Sequence, residues 1–227
     1  MTDASPGPIL VTGGTHPIAA AAGQALRDAG HEVRTAGHDL LDPAAVASLV
    51  QGVGAIVHLA PLAIAAAARG DSGEPLDTAA RGTHVLCKAA LEAGVDYVIQ
   101  GSTLAVMDAY PDELEITEQW RPRPAPEPTH LAPYLAELVA REFTRDVSLE
   151  QPLHVTCLRF AALGDGPDDL HAEHAAEAIV KALAKHRGRA LRSRGHKFAL
   201  LHIAAPTPTA RYASGLATRT IGYGAAS

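Results

Sequence analysis

Short runs of apolar residues alternate with longer alanine-rich stretches along most of this sequence. The short runs have the length and the flanking turn residues of buried β-strands, and they cover residues 8–11, 32–36, 55–59, 97–100, 154–160 and 198–203. The longer stretches have the proline and glycine boundaries of helices, which predicts helices over residues 17–29, 43–51, 77–93, 133–146, 173–185 and 209–220.

This alternation of strand and helix predicts an α/β fold made of βαβ units, with a parallel sheet and right-handed crossovers. Ligands of such sheets bind at the carboxyl ends of the strands, near the point where the strand order reverses. We therefore expect the functional residues in the loops that follow Val11, Ala36, Leu59, Gln100 and Phe160.

The composition describes a globular chain with a core of small side chains. Of its 227 residues, 47% are hydrophobic but only 4% are aromatic. These values exclude an intrinsically disordered chain, a collagen-like repeat and a disulfide scaffold. Nineteen basic and 25 acidic residues give a net charge of −6 (19 − 25), which argues against a general nucleic-acid binder. The length fits one domain, or one domain with a small appendage.

The two cysteines, Cys87 and Cys157, each lie in an apolar run. Buried reduced thiols are therefore expected, rather than a disulfide or a metal pair. The first ten residues lack the basic flank and apolar core of a signal peptide. Apolar runs reach only about ten residues, too few to span a bilayer. These features predict a cytoplasmic protein without membrane contact.

A glycine turn follows the first predicted strand and precedes the first predicted helix, in the sequence Thr12-Gly13-Gly14-Thr15-His16. Glycines at this position let backbone N–H groups and the helix N-terminus face a pyrophosphate. Further landmarks follow in order: Asp39-Leu40-Leu41 after the second strand, His58-Leu59-Ala60-Pro61 after the third, Ser102-Thr103 after the fourth, Pro133-Tyr134 after a proline-rich loop, and Leu158-Arg159-Phe160.

In these landmarks the chain resembles the extended short-chain dehydrogenase/reductases of the NAD-dependent epimerase/dehydratase family, over nearly all its length. The resemblance implies a Rossmann-like doubly wound sheet in residues 1–164 and a much reduced C-terminal substrate lobe in residues 165–227. It implies a homodimer through the helices at 77–93 and 133–146. It also implies NAD or NADP as cofactor, bound by Gly13, Gly14, Thr15, His16, Asp39, Leu40, Leu59, Ala60 and Pro61.

The same resemblance implies that Tyr134 is the general acid/base and that Thr103, with Ser102 beside it, holds the substrate oxygen. In the family a lysine four residues after the tyrosine lowers the phenol pKa, but Leu138 stands there. A phenol of ordinary pKa, about 10, is a poor base at neutral pH without such help. The family's asparagine on the long helix corresponds to Ala79.

The cofactor loops also depart from the family pattern. His16 stands where a glycine would let the backbone approach the pyrophosphate, and Ala19 replaces the last glycine of the motif. Gly37 stands where an acidic residue would bind the ribose hydroxyls. Another helix and strand that the family carries is missing, since Ala36 leads almost directly to Asp39.

These departures favour a degenerate family member that has lost ordinary hydride transfer and acts as a binding or regulatory subunit or in non-redox chemistry, with a small-molecule ligand in the cleft. The alternative is an NAD(P)-dependent epimerase or reductase on a sugar nucleotide or another small carbonyl or hydroxy substrate, using Tyr134 and Thr103. A third hypothesis is cofactor-free chemistry on a small apolar molecule. Several of the implied site residues have a plain structural alternative. Tyr134 could be a packed ring, and Thr103 and Ser102 could be partners of backbone groups. Gly13 and Gly14 could be needed by the turn alone, and His16 could cap the helix rather than meet a ligand.

Two further clusters carry weaker hypotheses. His171 and His174 lie three residues apart, but no third ligand follows at a metal-binding spacing, so no metal site is expected. Residues 185–197 hold six basic side chains. They form either a solvated loop after a helix or an anion site for an acidic ligand or partner.

Overall fold

A six-stranded parallel β-sheet forms the centre of the protein in a computed structural model. The structure describes residues 7–14, 16–69, 73–145, 153–164, 169–187, 197–205 and 211–224. The strands are β1 (Ile9–Thr12), β2 (Val33–Ala36), β3 (Ala55–His58), β4 (Tyr97–Thr103), β5 (His154–Phe160) and β6 (Phe198–Ile203). Their order is β2-β1-β3-β4-β5-β6, and every neighbouring pair is parallel. The predicted Rossmann-like fold is confirmed.

Helices cover both faces of this sheet. They are α1 (Pro17–Asp28), α2 (Pro43–Leu49), α3 (Ala60–Ala67), α4 (Glu74–Glu92), α5 (Pro128–Phe143), α6 (Ala172–Arg187) and α7 (Gly215–Ile221). Alternate strand residues face opposite sides: Val57 and Ile99 pack with α1, α6 and α7, whereas Ile56 and Val98 pack with α2, α4 and α5.

Alanines allow the helices to approach closely. Ala22 of α1 and Ala175, Ala178 and Ala182 of α6 are completely buried in one cluster. Small side chains at facing positions reduce the distance between two helices, and dense packing then replaces the contacts that large aromatics would make. A core with few aromatic residues is the result.

Three helices differ most from the sequence prediction, while α4 begins at Glu74, three residues earlier than predicted. α5 begins at Pro128 rather than at Pro133, which lies inside the helix. α3 follows β3 directly and was not predicted. α7 covers Gly215–Ile221, whereas the pattern predicted 209–220, of which residues 209 and 210 lie outside the described residues.

Within the described part of the chain the sheet ends at β2, next to β1. This agrees with the short connection after Ala36, which leaves no room for a further strand. After residue 164 the chain contributes α6, β6 and α7, of which β6 pairs with β5. None of the described helices is long and apolar enough to cross a membrane.

Candidate functional site

The strand order reverses between β1 and β3, and the predicted cofactor residues lie at this switch point. Thr12 and His58, the last residues of the two strands, are neighbours in register. The helices α1 and α3 begin a few residues later, so Gly13, Gly14 and His16 lie opposite Leu59, Ala60 and Pro61. Thr15 lies outside the described residues.

The glycine turn is closed by its own backbone. Gly13 and Gly14 have φ angles of 110° and 56°, which glycine adopts without steric strain. The N–H of Gly13 donates to the carbonyl of Gly37 at 3.2 Å, and that of Gly14 donates to the carbonyl of Ala36 at 3.0 Å. Both glycine donors are therefore used to fix the turn against the end of β2.

The N-terminus of α1 is capped by an imidazole. His16 is the N-cap residue, and its Nδ1 accepts a hydrogen bond from the N–H of Ile18 at 3.3 Å. Pro17, the first helical residue, has no N–H to offer. Burial lowers the pKa of His16, which favours the neutral ring that this acceptor role requires.

A second histidine joins β3 to α4. The Thr83 hydroxyl donates to the carbonyl of Ala79 at 2.7 Å, so its oxygen accepts from Nε2–H of His58 at 2.9 Å. The remaining ring nitrogen, Nδ1, then accepts from the hydroxyl of Thr12 at 2.9 Å. Burial lowers the pKa of His58 to about 3. The surrounding hydrogen bonds therefore hold a neutral ring in one tautomer.

The Thr12 hydroxyl also serves the start of α3. Its oxygen accepts from the N–H groups of Leu59 and Ala60, each at 3.2 Å. Pro61, the next residue, has no N–H. This network was not predicted from the sequence, although His58 at the end of one apolar strand and Thr12 at the end of another were visible signals.

The segment implied to contact adenine separates into two parts. Leu40 is buried, and a Cβ on Gly82 of α4 would lie 3.4 Å from its Cβ. Asp39 and Leu41 line a cavity of about 410 Å³ between the loop after β2, the end of α3 and the start of α4. Its other polar lining residues include His38, Arg69, Glu74 and Thr78.

The implied catalytic side chains lie in different surroundings. Thr103 ends β4, and its Oγ1 accepts from the N–H of Ala105 at 3.1 Å, which caps the 3-10 helix Leu104–Met107. It also lines a cavity of about 400 Å³. Tyr134 on α5 is half-buried and packs against an apolar cluster that includes Met107 and Tyr110.

Ser102 belongs to a buried ionic network. Its hydroxyl donates to Oε2 of Glu137 at 3.2 Å. The Arg159 guanidinium donates to the same carboxylate, from Nε to Oε2 at 2.9 Å and from Nη2 to Oε1 at 2.6 Å. Arg159 and Glu137 are 1% and 3% exposed. No role of Glu137 was predicted from the sequence, where its position about one helical turn after Tyr134 was the available signal.

The cavity at Thr103 lies over the carboxyl ends of β4, β5 and β6. The cavity has both apolar and polar lining residues, and the polar ones are Thr103, Asp108, Asp112, Asp169, Arg211 and Tyr212. Nη1 of Arg211 lies 2.9 Å from Asp112, and the Tyr212 hydroxyl donates to Asp108 at 3.0 Å. Burial, with the nearby carboxylate of Asp108, raises the pKa of Tyr212 to about 12. The phenol is therefore a stable hydrogen-bond donor.

In the part of the chain that it describes, the structure adds no support for a ligand site at the histidine pair or at the basic segment 185–197. The rings of His171 and His174 meet edge to face with centroids 5.6 Å apart. Among the described residues no group of three or more His, Cys, Asp or Glu side chains could hold a metal ion. Of the basic segment, Lys185, Arg187 and Lys197 are described, whereas residues 188–196 lie outside the described part.

Comparison with known proteins gives one family match and many structural matches. Residues 9–203 match the sequence model of the NAD dependent epimerase/dehydratase family. MoeE5, solved in complex with UDP-glucose and NAD, is 20% identical with a TM-score of 0.71, over 97% of this chain and 94% of that chain. The UDP-glucose 4-epimerase of Thermotoga maritima, solved with UDP-glucose, is 16% identical with a TM-score of 0.72, over 95% and 93%.

A mutated uronate dehydrogenase is 17% identical with a TM-score of 0.74, over 96% of this chain and 80% of that chain. At these low identities, the TM-scores of 0.71 to 0.74 establish a shared fold. No sequence among the curated proteins matches the chain.

Proposed function

We propose, from the premise that this chain belongs to the NAD-dependent epimerase/dehydratase family, that it is a member without ordinary hydride transfer. In this proposal it acts as a binding or regulatory subunit, or in non-redox chemistry, and takes a small molecule in the cavity at Thr103. The proposal rests first on the surroundings of Tyr134 and then on the lining of that cavity.

The observation that carries the proposal is the pairing of Arg159 with Glu137. A tyrosine base needs a neighbouring cation that stabilises its phenolate. Leu138 supplies none at the spacing where relatives have lysine. The buried cation that interacts with Tyr134 is Arg159, and both oxygens of Glu137 compensate its charge. With its charge taken up by Glu137, Arg159 is a poor substitute for the missing lysine, and Tyr134 is better suited to bind a ligand than to act as a base.

The cavity at Thr103 supports binding of a small polar molecule. Its volume of about 400 Å³ falls in the range of small-molecule sites. Its lining includes the apolar side chains of Ala161, Ala162 and Ala204. It also includes the Tyr212 hydroxyl, which donates to Asp108, and the ion pair of Arg211 with Asp112. The mixed lining disfavours the purely apolar ligand of the cofactor-free hypothesis.

The alternative function is an NAD(P)-dependent epimerase or reductase that uses Tyr134 and Thr103. It is favoured by the NAD and UDP-glucose present in the MoeE5 structure. In that case Thr103 would hold a substrate oxygen at the end of β4, and Tyr134 would move the proton.

Cofactor-dependent turnover separates the two functions. Purified protein is incubated with NAD⁺, NADP⁺ or their reduced forms and a panel of UDP-sugars, and products are followed by nicotinamide absorbance and chromatography. We expect no turnover by the wild type. Turnover that disappears in Tyr134→Phe would contradict the proposal.

Ligand binding is tested separately. A thermal-shift screen of small polar molecules compares the wild type with Thr103→Val, and with Thr78→Val in the cavity at Asp39 as the matched control. A ligand of the Thr103 cavity raises the melting temperature of the wild type and of Thr78→Val, and less that of Thr103→Val. A shift lost only in Thr78→Val would place the ligand in the other cavity.

A further inference from the structure

The two loops at the switch point have used most of their hydrogen-bond donors. Backbone N–H groups at the start of a helix bind an anion only when they have no other acceptor. At α1, Pro17 has no N–H and Ile18 donates to His16. In the preceding turn, the N–H groups of Gly13 and Gly14 donate to the end of β2.

The N–H groups of the facing loop, which follows β3, are also used within the protein. The N–H groups of Leu59 and Ala60 both donate to Thr12 Oγ1, and Pro61 has none. The Thr12 hydroxyl is itself held by His58, whose other nitrogen is anchored to Thr83 of α4. A pyrophosphate placed here would have to break these bonds without gaining equivalent donors. The residues present do not fit the dinucleotide that the family uses.

We propose that His16 and Pro17 occupy the pyrophosphate position with the protein's own groups and thereby exclude nicotinamide dinucleotides. The imidazole acts as the resident acceptor for the Ile18 N–H, in the place of a phosphate oxygen. Pro17 has no N–H, so the neighbouring donor is absent as well. His16 is thus a specificity-determining residue. This inference deepens the proposed function, since a chain that binds no dinucleotide performs no hydride transfer.

Two observations favour His16 over the other departures as the main barrier. Burial favours its neutral form, so at neutral pH it offers an acceptor rather than a positive charge to an approaching phosphate. By contrast, a Cβ added at Gly37 would meet nothing within 4 Å. The missing ribose carboxylate could therefore be supplied without steric conflict, which makes Gly37→Asp a matched comparison.

Calorimetric titration with NAD⁺ and NADH tests the inference on four proteins: the wild type, His16→Gly, His16→Gly/Pro17→Ala and Gly37→Asp. We expect no saturable binding by the wild type or by Gly37→Asp. Restoring both donors in His16→Gly/Pro17→Ala should tighten binding at least about ten-fold. Circular dichroism and cooperative melting establish that each variant is folded.

Three results would overturn the inference: micromolar binding by the wild type, binding conferred by Gly37→Asp alone, or no gain in a folded double variant. If the double variant does not fold, hydrogen exchange at the wild-type Ile18 amide decides, since the cap requires protection there and rapid exchange contradicts it. Wild-type binding without turnover would overturn this inference and leave the proposed function standing. Turnover would overturn both.

Discussion

The guanidinium of Arg159 on β5 donates two hydrogen bonds to the carboxylate of Glu137 on α5, inside the protein. The two residues are 22 positions apart in sequence. Such a pair compensates the large desolvation of two buried charges only while both members are present. It ties the helix that carries Tyr134 to strand β5 and at the same time neutralises a buried cation that interacts with that tyrosine.

Removing one member of this pair should strongly destabilise the protein. Glu137→Gln leaves the Arg159 charge buried without a counter-charge, and we expect it to lower the free energy of unfolding by about 3–5 kcal/mol. Glu142→Gln is the matched control, because Glu142 pairs with Arg145 at the surface and such pairs contribute about 0–1 kcal/mol. Urea denaturation measures both. Equal effects would contradict the role given to the buried pair.

Stability should fall as the pH is lowered below the ordinary histidine pKa of 6.5. Burial depresses the pKa of His58 and of His202 to about 3. Between pH 6.5 and pH 3 these histidines bind protons in the unfolded chain but stay neutral in the folded chain. Their contribution to stability is therefore fully present above pH 6.5 and is lost as the pH falls toward 3. Each histidine contributes a slope of about 1.4 kcal/mol per pH unit.

Urea denaturation at about pH 6 and about pH 5 measures this slope, in a range where carboxylates contribute less. His58→Asn should reduce the slope by one histidine's share. His84→Asn on the exposed side of α4 is the control, and a slope unchanged by His58→Asn would refute the assignment.

The close approach of Gly13 to Leu59 should make alanine more costly at this position than at another glycine of positive φ. Gly13 and Gly30 both have positive φ, so alanine at either position should lower stability by about 1–2 kcal/mol through backbone strain. A Cβ at Gly13 would also lie 3.0 Å from the Leu59 carbonyl, whereas at Gly30 it would meet nothing within 4 Å. Gly13→Ala should therefore cost about 1–3 kcal/mol more. Equal losses in thermal denaturation would show that the approach to Leu59 is unimportant.

Both thiols should be inert in the folded protein. Cys87 and Cys157 are fully buried, and burial raises the pKa of Cys87 to about 12 and that of Cys157 well above its ordinary value. Because the thiolate is the reactive form, Ellman's reagent should label neither cysteine until denaturant is added, and then both. Rapid labelling of one cysteine under native conditions would contradict their placement.

We propose that two copies associate through α4 and α5. Val85, Leu135, Leu138 and Val139 on these helices are only half-buried, and a second copy would complete their burial. Light scattering after size exclusion should give the mass of a dimer for the wild type and of a monomer for Leu135→Glu/Leu138→Glu. Leu114→Glu, at an exposed leucine elsewhere, should remain dimeric. A monomeric wild type removes the proposal.

All six strands were predicted at the right places because their apolar runs are short, but β4 continues to Thr103 rather than ending at Gln100, so Ser102 and Thr103 belong to the strand and not to the loop after it. The bounds of β5 and β6 coincide with the prediction. The helix α3 was missed because its sequence is apolar on all sides, so no periodicity marks it. It becomes a helix where α4, α5 and β4 enclose it. The start of α5 was misplaced because Pro128 and Pro133 both suit a first helical position.

Site residues were found in the sequence, but their partners were not. The motif placed His16, Thr103 and Tyr134 at strand ends and on a helix. Whether His16 faces a ligand or its own helix depends on an imidazole orientation that no spacing encodes. The bonds of His58 join positions 46 and 25 residues away. Such contacts depend on which strands are neighbours in the sheet. Sequence patterns predict the fold class but not these particular contacts.

Among the described residues, no strand pairs with the outer edge of β2, the kind of surface on which a foreign strand can add. This edge strand is only four residues long. Arg34 near its middle directs a guanidinium to the carbonyls of Leu49 and Gln51, at 2.7 Å and 3.1 Å. Short length and a charged side chain are common protections of edge strands against aggregation. The edge at β2 therefore discourages β-sheet growth between molecules.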